Sequence, residues 1–77
     1  NRMTVQVYGR PGCGQCEQAK LKFHRSGIAY EYLMLDDHQE KLAEQFEVLP
    51  RSLPYIVHSD TLYNFTQVES LIKSIKG

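Results

Sequence analysis

The chain has no tryptophan, only two cysteines and three prolines, and no excess charge of either sign: nine Lys plus Arg balance nine Asp plus Glu in 77 residues. Each shortage excludes something. Two cysteines are too few for the disulfide framework of a small secreted scaffold, which carries four or more. The balanced charge leaves no basic stripe of the kind that binds nucleic acid. No apolar run exceeds a few residues, so no stretch reads as a membrane-spanning helix. No basic, apolar leader of the secretory type opens the sequence. Asn1 and Arg2 precede Met3 and read as an expression remnant. The expectation is therefore a single domain over residues 3–77, working in the cytoplasm as a monomer. Apolar residues at 42% and charged residues at 23% are ordinary for a folded domain with a small core.

The pattern of residues predicts the element order β-α-β-α-β-β-α. Met3–Tyr8 alternates with β-branched residues, as a strand does. Cys13–Ser26 is rich in helix formers, with Glu17 in its first turn, Lys22 and Arg25 in its last, and Gly27 as the stop. Ile28–Leu35 predicts a second strand, in which Tyr30 and Tyr32 read as sheet packing. Asp37–Glu40 fits a capping box before a helix with Leu42, Ala43 and Phe46 on its apolar face, ended by Pro50. Leu53–Val57 and Thr61–Phe65 predict two more strands around a His58-Ser59-Asp60 turn that lacks the Asn-Gly or Asp-Gly of a tight hairpin. Thr66–Glu69 fits another capping box. Val68, Leu71, Ile72 and Ile75 then repeat at helical spacing. A strand, helix and strand at this spacing form a right-handed parallel crossover, so the fold class is α/β: a four-stranded mixed sheet flanked by three helices.

The spacing of Cys13 and Cys16 carries the chemistry. Three helical steps of about 100° bring the second side chain to within about 60° of the first, with Cα atoms roughly 5–6 Å apart. Such a pair can open and close without moving the backbone. Cys13 stands at the start of the helix, where unpaired N–H groups and the helix dipole favour an anion, and Arg10 adds positive potential. Lowering a thiol pKa from about 8.5 to about 6 is worth about 3.4 kcal/mol. Cys16, one turn deeper, lacks that field and is expected to remain a thiol until it attacks a mixed disulfide. Haem attachment needs a His directly after the second cysteine, and Glu17 stands there. A zinc site needs two more ligands, and His24, His38 and His58 are scattered along the chain and read as surface residues, so no metal site is expected.

Val5-Gln6-Val7-Tyr8, Arg10-Pro11-Gly12-Cys13-Gly14-Gln15-Cys16 and Arg51-Ser52-Leu53-Pro54 together resemble the glutaredoxin family of the thioredoxin superfamily. The likeness covers nearly the whole chain. Cys13-Gly14-Gln15-Cys16 and Gly27-Ile28-Ala29-Tyr30 are most similar to the NrdH-type redoxins of that family. The resemblance implies a thioredoxin-like fold and a dithiol-disulfide oxidoreductase. Cys13 and Cys16 would form the redox-active disulfide, with Arg10 stabilising the Cys13 thiolate. It implies a cis peptide before Pro54, and substrate or glutathione contacts from Arg51, Ser52, Leu53, Pro54, Thr66 and Gln67. Two departures bear on the electron source. Gly14-Gln15 replaces the Pro-Tyr of ordinary glutaredoxins. Tyr63-Asn64 and Thr66-Gln67 stand where those proteins carry Gly-Gly and the acidic residue that meets the ammonium of glutathione. The expectation is a redoxin without a tightly bound cofactor, recycled by thioredoxin reductase and serving a disulfide-bearing client such as ribonucleotide reductase. The alternative reductant is glutathione. An iron–sulfur or zinc carrier is the alternative of another class.

Overall fold

The computed structural model describes residues 4–77; Met3 at the predicted strand start, and the Asn1-Arg2 remnant before it, lie outside the described residues. Four strands, β1 (Val5–Gly9), β2 (Tyr30–Met34), β3 (Tyr55–His58) and β4 (Thr61–Tyr63), form one sheet in the order β2-β1-β3-β4. Three helices pack against it: α1 (Gly14–Arg25), α2 (Gln39–Gln45) and α3 (Val68–Lys76). The element order is the one the residue pattern predicts, and the arrangement is the thioredoxin-like fold the resemblance implies.

Like β3, β1 is an interior strand, and it buries side chains on both faces. It pairs parallel with β2, Val5 to Tyr30 through Gly9 to Met34, and antiparallel with β3, Val7 to Ile56. Val5, Val7 and Ile56 face α1 and α3, where Ala19, Phe23, Val68 and Leu71 close the larger core. Tyr8, Tyr55 and Val57 point the other way, onto Leu35 and Leu42. Side chains alternate along each strand, so one sheet serves both layers.

The structure departs from the sequence expectations at several boundaries. Cys13 is the cap of α1 and not its first residue, and the helix stops at Arg25, with Gly27 at φ 73° turning the chain. Strands β2 and β4 are shorter than the patterns suggest, and β3 begins at Tyr55 instead of Leu53. The Asp37–Glu40 capping box does not form: Leu35–Asp37 makes a 3-10 turn, and His38, with no side-chain bond, precedes α2. Ala43 is exposed, and α2 ends well before Pro50. His38 packs its ring edge-on against Tyr8, centroids 5.5 Å apart, so it is more than a surface residue. The cap before α3 is Asn64 rather than Thr66, through a second 3-10 turn, Phe65–Gln67. β3 and β4 form a tight two-residue hairpin without its usual dipeptide. Ser59 and Asp60 both take positive φ, 49° and 64°, which makes a type I′ turn whose twist matches the strands.

Candidate functional site: a dithiol at the start of a helix

β1 and β2 run parallel, so their carboxyl ends lie side by side. The chain leaves β1 at Gly9, turns through Arg10-Pro11-Gly12 and enters α1 at Cys13. That turn is closed by the Cys13 N–H donating to the Arg10 carbonyl at 3.2 Å. Cys13 has extended backbone, and its Sγ accepts the Cys16 N–H at 3.1 Å. The sulfur therefore occupies the place a Ser or Asp side chain takes at a helix start, on an N–H that the helix itself cannot satisfy. An anion at that position gains from both the bond and the dipole.

The two cysteines differ in access. Cys13 is half-buried, while Cys16 is fully buried. They are joined as a disulfide with Cα atoms 5.3 Å apart, within the range the helical spacing predicts. A sulfur reachable from outside and a buried sulfur behind it match the division between a group that meets substrate and one that acts only afterwards.

Gly9 governs the floor of this site. A Cβ built there would lie 2.7 Å from Cys16 Sγ, 2.9 Å from Cys16 Cβ and 2.8 Å from the Tyr32 hydroxyl. The last residue of β1 must be glycine for α1 to set its second cysteine directly on the strand. Continuing the β1–β3 register one step beyond Tyr8 and Tyr55 sets Pro54 opposite Gly9. Pro54 is buried, and the Leu53–Pro54 peptide is cis. Thus the helix start, the cis proline and β2 converge on one glycine.

Arg10 has a partner that sequence reasoning did not find. Its Nε and Nη2 both donate to Asp36 Oδ1, at 3.1 and 3.0 Å, and both side chains are substantially exposed. Asp36 follows β2 as Arg10 follows β1, so the parallel pairing brings the two together. Arg10 is therefore shared with a carboxylate, so any field it sets at Cys13 is weaker than an unpaired charge would supply. On α1, Lys20 bonds Glu17 at 2.9 Å and lies 4.8 Å from the centre of the Tyr32 ring. The bond to Glu17 holds the Lys20 ammonium above its ordinary pKa.

The remaining sequence candidates are less closely gathered. Arg51 and Ser52 are exposed on the loop before β3, and Leu53 is half-buried. Thr66 and Gln67 lie in the 3-10 turn before α3 and are engaged there. Gln67 Oε1 accepts the Asn64 N–H at 3.0 Å, and the Thr66 hydroxyl donates to Asn64 Oδ1. Gln67, Asn64 and Tyr63 border a cleft of about 220 Å³ with Val48, Leu49, Pro50 and Leu62. Among the described residues, no three His, Cys, Asp or Glu side chains gather as a metal-binding group, and no helix is long and apolar enough to cross a membrane.

The glutaredoxin family model matches residues 5–62, most of the chain and the whole dithiol region. The chain belongs to the glutaredoxin family. Its activity class is accordingly that of a thiol-disulfide oxidoreductase. Among solved structures, the glutaredoxin-like protein NrdH-redoxin from Escherichia coli has a similar fold, with a TM-score of 0.70. The alignment covers 90% of this chain and 95% of that one at 22% identity. That redoxin is described as having a thioredoxin-like activity profile. Comparison with curated protein sequences found no match. Three residues of this glutaredoxin-family site were missed by sequence reasoning: Gly9, Tyr32 and Asp36. The signal for Gly9 was available, since a glycine ending an apolar strand marks a close approach of another element.

Proposed function

We propose that this glutaredoxin-family chain is an NrdH-like dithiol donor in the cytoplasm. In this reading it acts as a monomer without a resident cofactor, is recycled by thioredoxin reductase and serves a disulfide-bearing client such as ribonucleotide reductase. The Cys13 thiolate attacks one sulfur of the client disulfide. The client S–S bond breaks, a Cys13–client bond forms, and the departing client sulfur takes a proton from water. Cys16 loses its proton to solvent and attacks Cys13 Sγ. The mixed disulfide breaks, the second client thiol is released, and Cys13–Cys16 is left oxidised. Two electrons have passed to the client and must be restored.

The observation that carries the choice of reductant is the closed turn before α3. Glutathione presents one ammonium and two carboxylates, each wanting a charged partner. Arg51 can meet a carboxylate. The ammonium would find Thr66 and Gln67, both neutral and both already bonded to Asn64. Losing one charge-assisted hydrogen bond costs about 1.5–3 kcal/mol, roughly ten- to a hundred-fold in affinity. The likeness to NrdH-redoxin supports the same reading at the level of fold.

The test is a turnover assay on a small disulfide with two recycling systems: NADPH with thioredoxin reductase, and NADPH with glutathione and glutathione reductase. Faster turnover with the first, and slow, poorly saturable turnover with the second, is expected. Saturation near 1 mM glutathione, a concentration typical of small-molecule substrate sites, with no response to thioredoxin reductase would make this an ordinary glutathione-dependent glutaredoxin.

A further inference from the structure

The resolving sulfur poses an electrostatic problem. Cys16 is fully buried. Burial disfavours the thiolate it must become, and the start of α1 directs its N–H toward Cys13 instead. Something in the interior must favour charge on Cys16 at the moment of resolution. No charged side chain is buried among the described residues.

The Tyr32 hydroxyl reaches the place. The point that a Gly9 Cβ would occupy lies 2.7 Å from Cys16 Sγ and 2.8 Å from the Tyr32 hydroxyl, so both atoms border the space that the missing side chain leaves, with no hydrogen bond between them while the disulfide is closed. Sequence reasoning took Tyr32 for sheet packing. Its ring does pack against the larger core, but its hydroxyl extends along the sheet to the end of β1. The Tyr32 ring is braced by Lys20, whose ammonium is 4.8 Å from the ring centre and bonded to Glu17. Burial, then the charge of the Glu17 carboxylate and hydrogen bonding to it, push the Tyr32 phenol above its ordinary pKa, against a smaller pull downward from Lys20. It therefore keeps its proton at neutral pH and serves as a hydrogen-bond donor, not a base.

We infer that the Tyr32 hydroxyl donates a hydrogen bond to Cys16 Sγ when that sulfur is free, and so makes Cys16 a competent resolver in a buried site. The inference rests on the assignment of Cys16 as resolver. The electron and proton balance is unchanged by it: the Cys16 proton still leaves to solvent, and Tyr32 is neither consumed nor ionised. The bond forms as Cys16 gains charge and is given up when the Cys13–Cys16 disulfide closes. Gly9 is the enabling residue, because any side chain there would collide with both atoms.

The test compares each cysteine alone. In Cys13→Ser protein, the pH at which Cys16 ionises is read from the far-ultraviolet absorbance of the thiolate, with Tyr32 intact and as Tyr32→Phe. The substitution keeps the ring that packs on the core and under Lys20. The Cys16 midpoint should move up by about one pH unit, a roughly tenfold loss of thiolate at a given pH, as expected for one charge-assisted bond. In Cys16→Ser protein, the same substitution should leave the Cys13 midpoint where it was. With both cysteines present, Tyr32→Phe should slow resolution of the mixed disulfide about tenfold and leave its formation unchanged. In protein with Tyr32 intact, the nuclear resonance of the hydroxyl-bearing ring carbon should shift on reduction. An unmoved Cys16 midpoint, equal movement of both midpoints, or no ring-carbon shift would overturn the inference. Trapping of substrate on Cys16 instead of Cys13 would overturn the assignment of roles beneath it.

Discussion

Two helix starts in this molecule, those of α1 and α3, have been used by the chain in opposite ways. At α1, the first free N–H groups are left for a sulfur: Cys13 Sγ takes the Cys16 N–H, and Gly14 and Gln15 beside it are exposed. At α3, a 3-10 turn closes on itself. Gln67 Oε1 takes the Asn64 N–H, the Asn64 carbonyl takes the Gln67 N–H, and Thr66 bonds Asn64. On the proposed function, the first start holds charge on a group that reacts. The second has met its own needs from neutral side chains, and the one carboxylate of its first turn, Glu69, is already held by Lys22 at 3.1 Å. The difference separates two properties that a shared fold would otherwise suggest travel together: the dithiol chemistry and the choice of reductant.

The largest effect expected of this comparison is at α1. Cys13→Ser should abolish reduction of a disulfide substrate, while Cys16→Ser should arrest the reaction as a mixed disulfide on Cys13, visible by mass. The motive is the difference in access, Cys13 half-buried and Cys16 fully so. A trapped species that appears only in Cys13→Ser would reverse the roles. Gln67→Asp sharpens the comparison from the other side. It supplies the missing charge and, one methylene shorter, gives up the bond to the Asn64 N–H. Turnover with glutathione should rise by about tenfold, within the range for one charged hydrogen bond, with turnover by thioredoxin reductase unchanged. An unaltered glutathione rate would mean that something other than the missing acid excludes it. The smallest effect concerns the Arg10–Asp36 pair. Both partners are exposed, and such pairs contribute at most about 1 kcal/mol. Arg10→Ala should raise the Cys13 pKa by a few tenths to about one unit, and Asp36→Asn, which frees the arginine, should lower it by a smaller amount. Thiolate absorbance against pH reads both. Shifts of the same sign would show that Arg10 acts on the loop's shape instead of through its charge.

The α1 start was legible in the sequence and the α3 start was not, for a physical reason. Cys13 and Cys16 act through local geometry: three residues of helix set their separation, and a strand before them sets the entry. The order of elements was legible on the same grounds, because the apolar positions of β1 and α3 repeat at strand and helix spacing. The caps failed because several residues competed for each one. Thr66–Glu69 and Asn64–Gln67 both fit the pattern, and only the path of the chain out of β4 selects Asn64. Asp37 lost its capping role to a 3-10 turn that Leu35 anchors in the core. Tyr32 and Asp36 could not be assigned locally at all. Each meets α1 or the loop before it only through the parallel pairing of β1 with β2, which for Asp36 and Arg10 spans 26 residues that no short pattern encodes. The Ser59-Asp60 turn shows the reverse: strand pairing imposes positive φ on residues that do not advertise it.

In the proposed function, everything follows from Cys13 being a thiolate at neutral pH at the start of α1. The direct measurement is the pH dependence of thiolate absorbance in the Cys16→Ser protein, where Cys13 is the only sulfur that titrates. The midpoint should lie well below the value of about 8.5 for an unperturbed thiol, with the same midpoint recovered from the rate of alkylation against pH. A midpoint at or above that value would contradict the proposed function, for then the N–H bonds and dipole at the helix start would not hold charge on the sulfur.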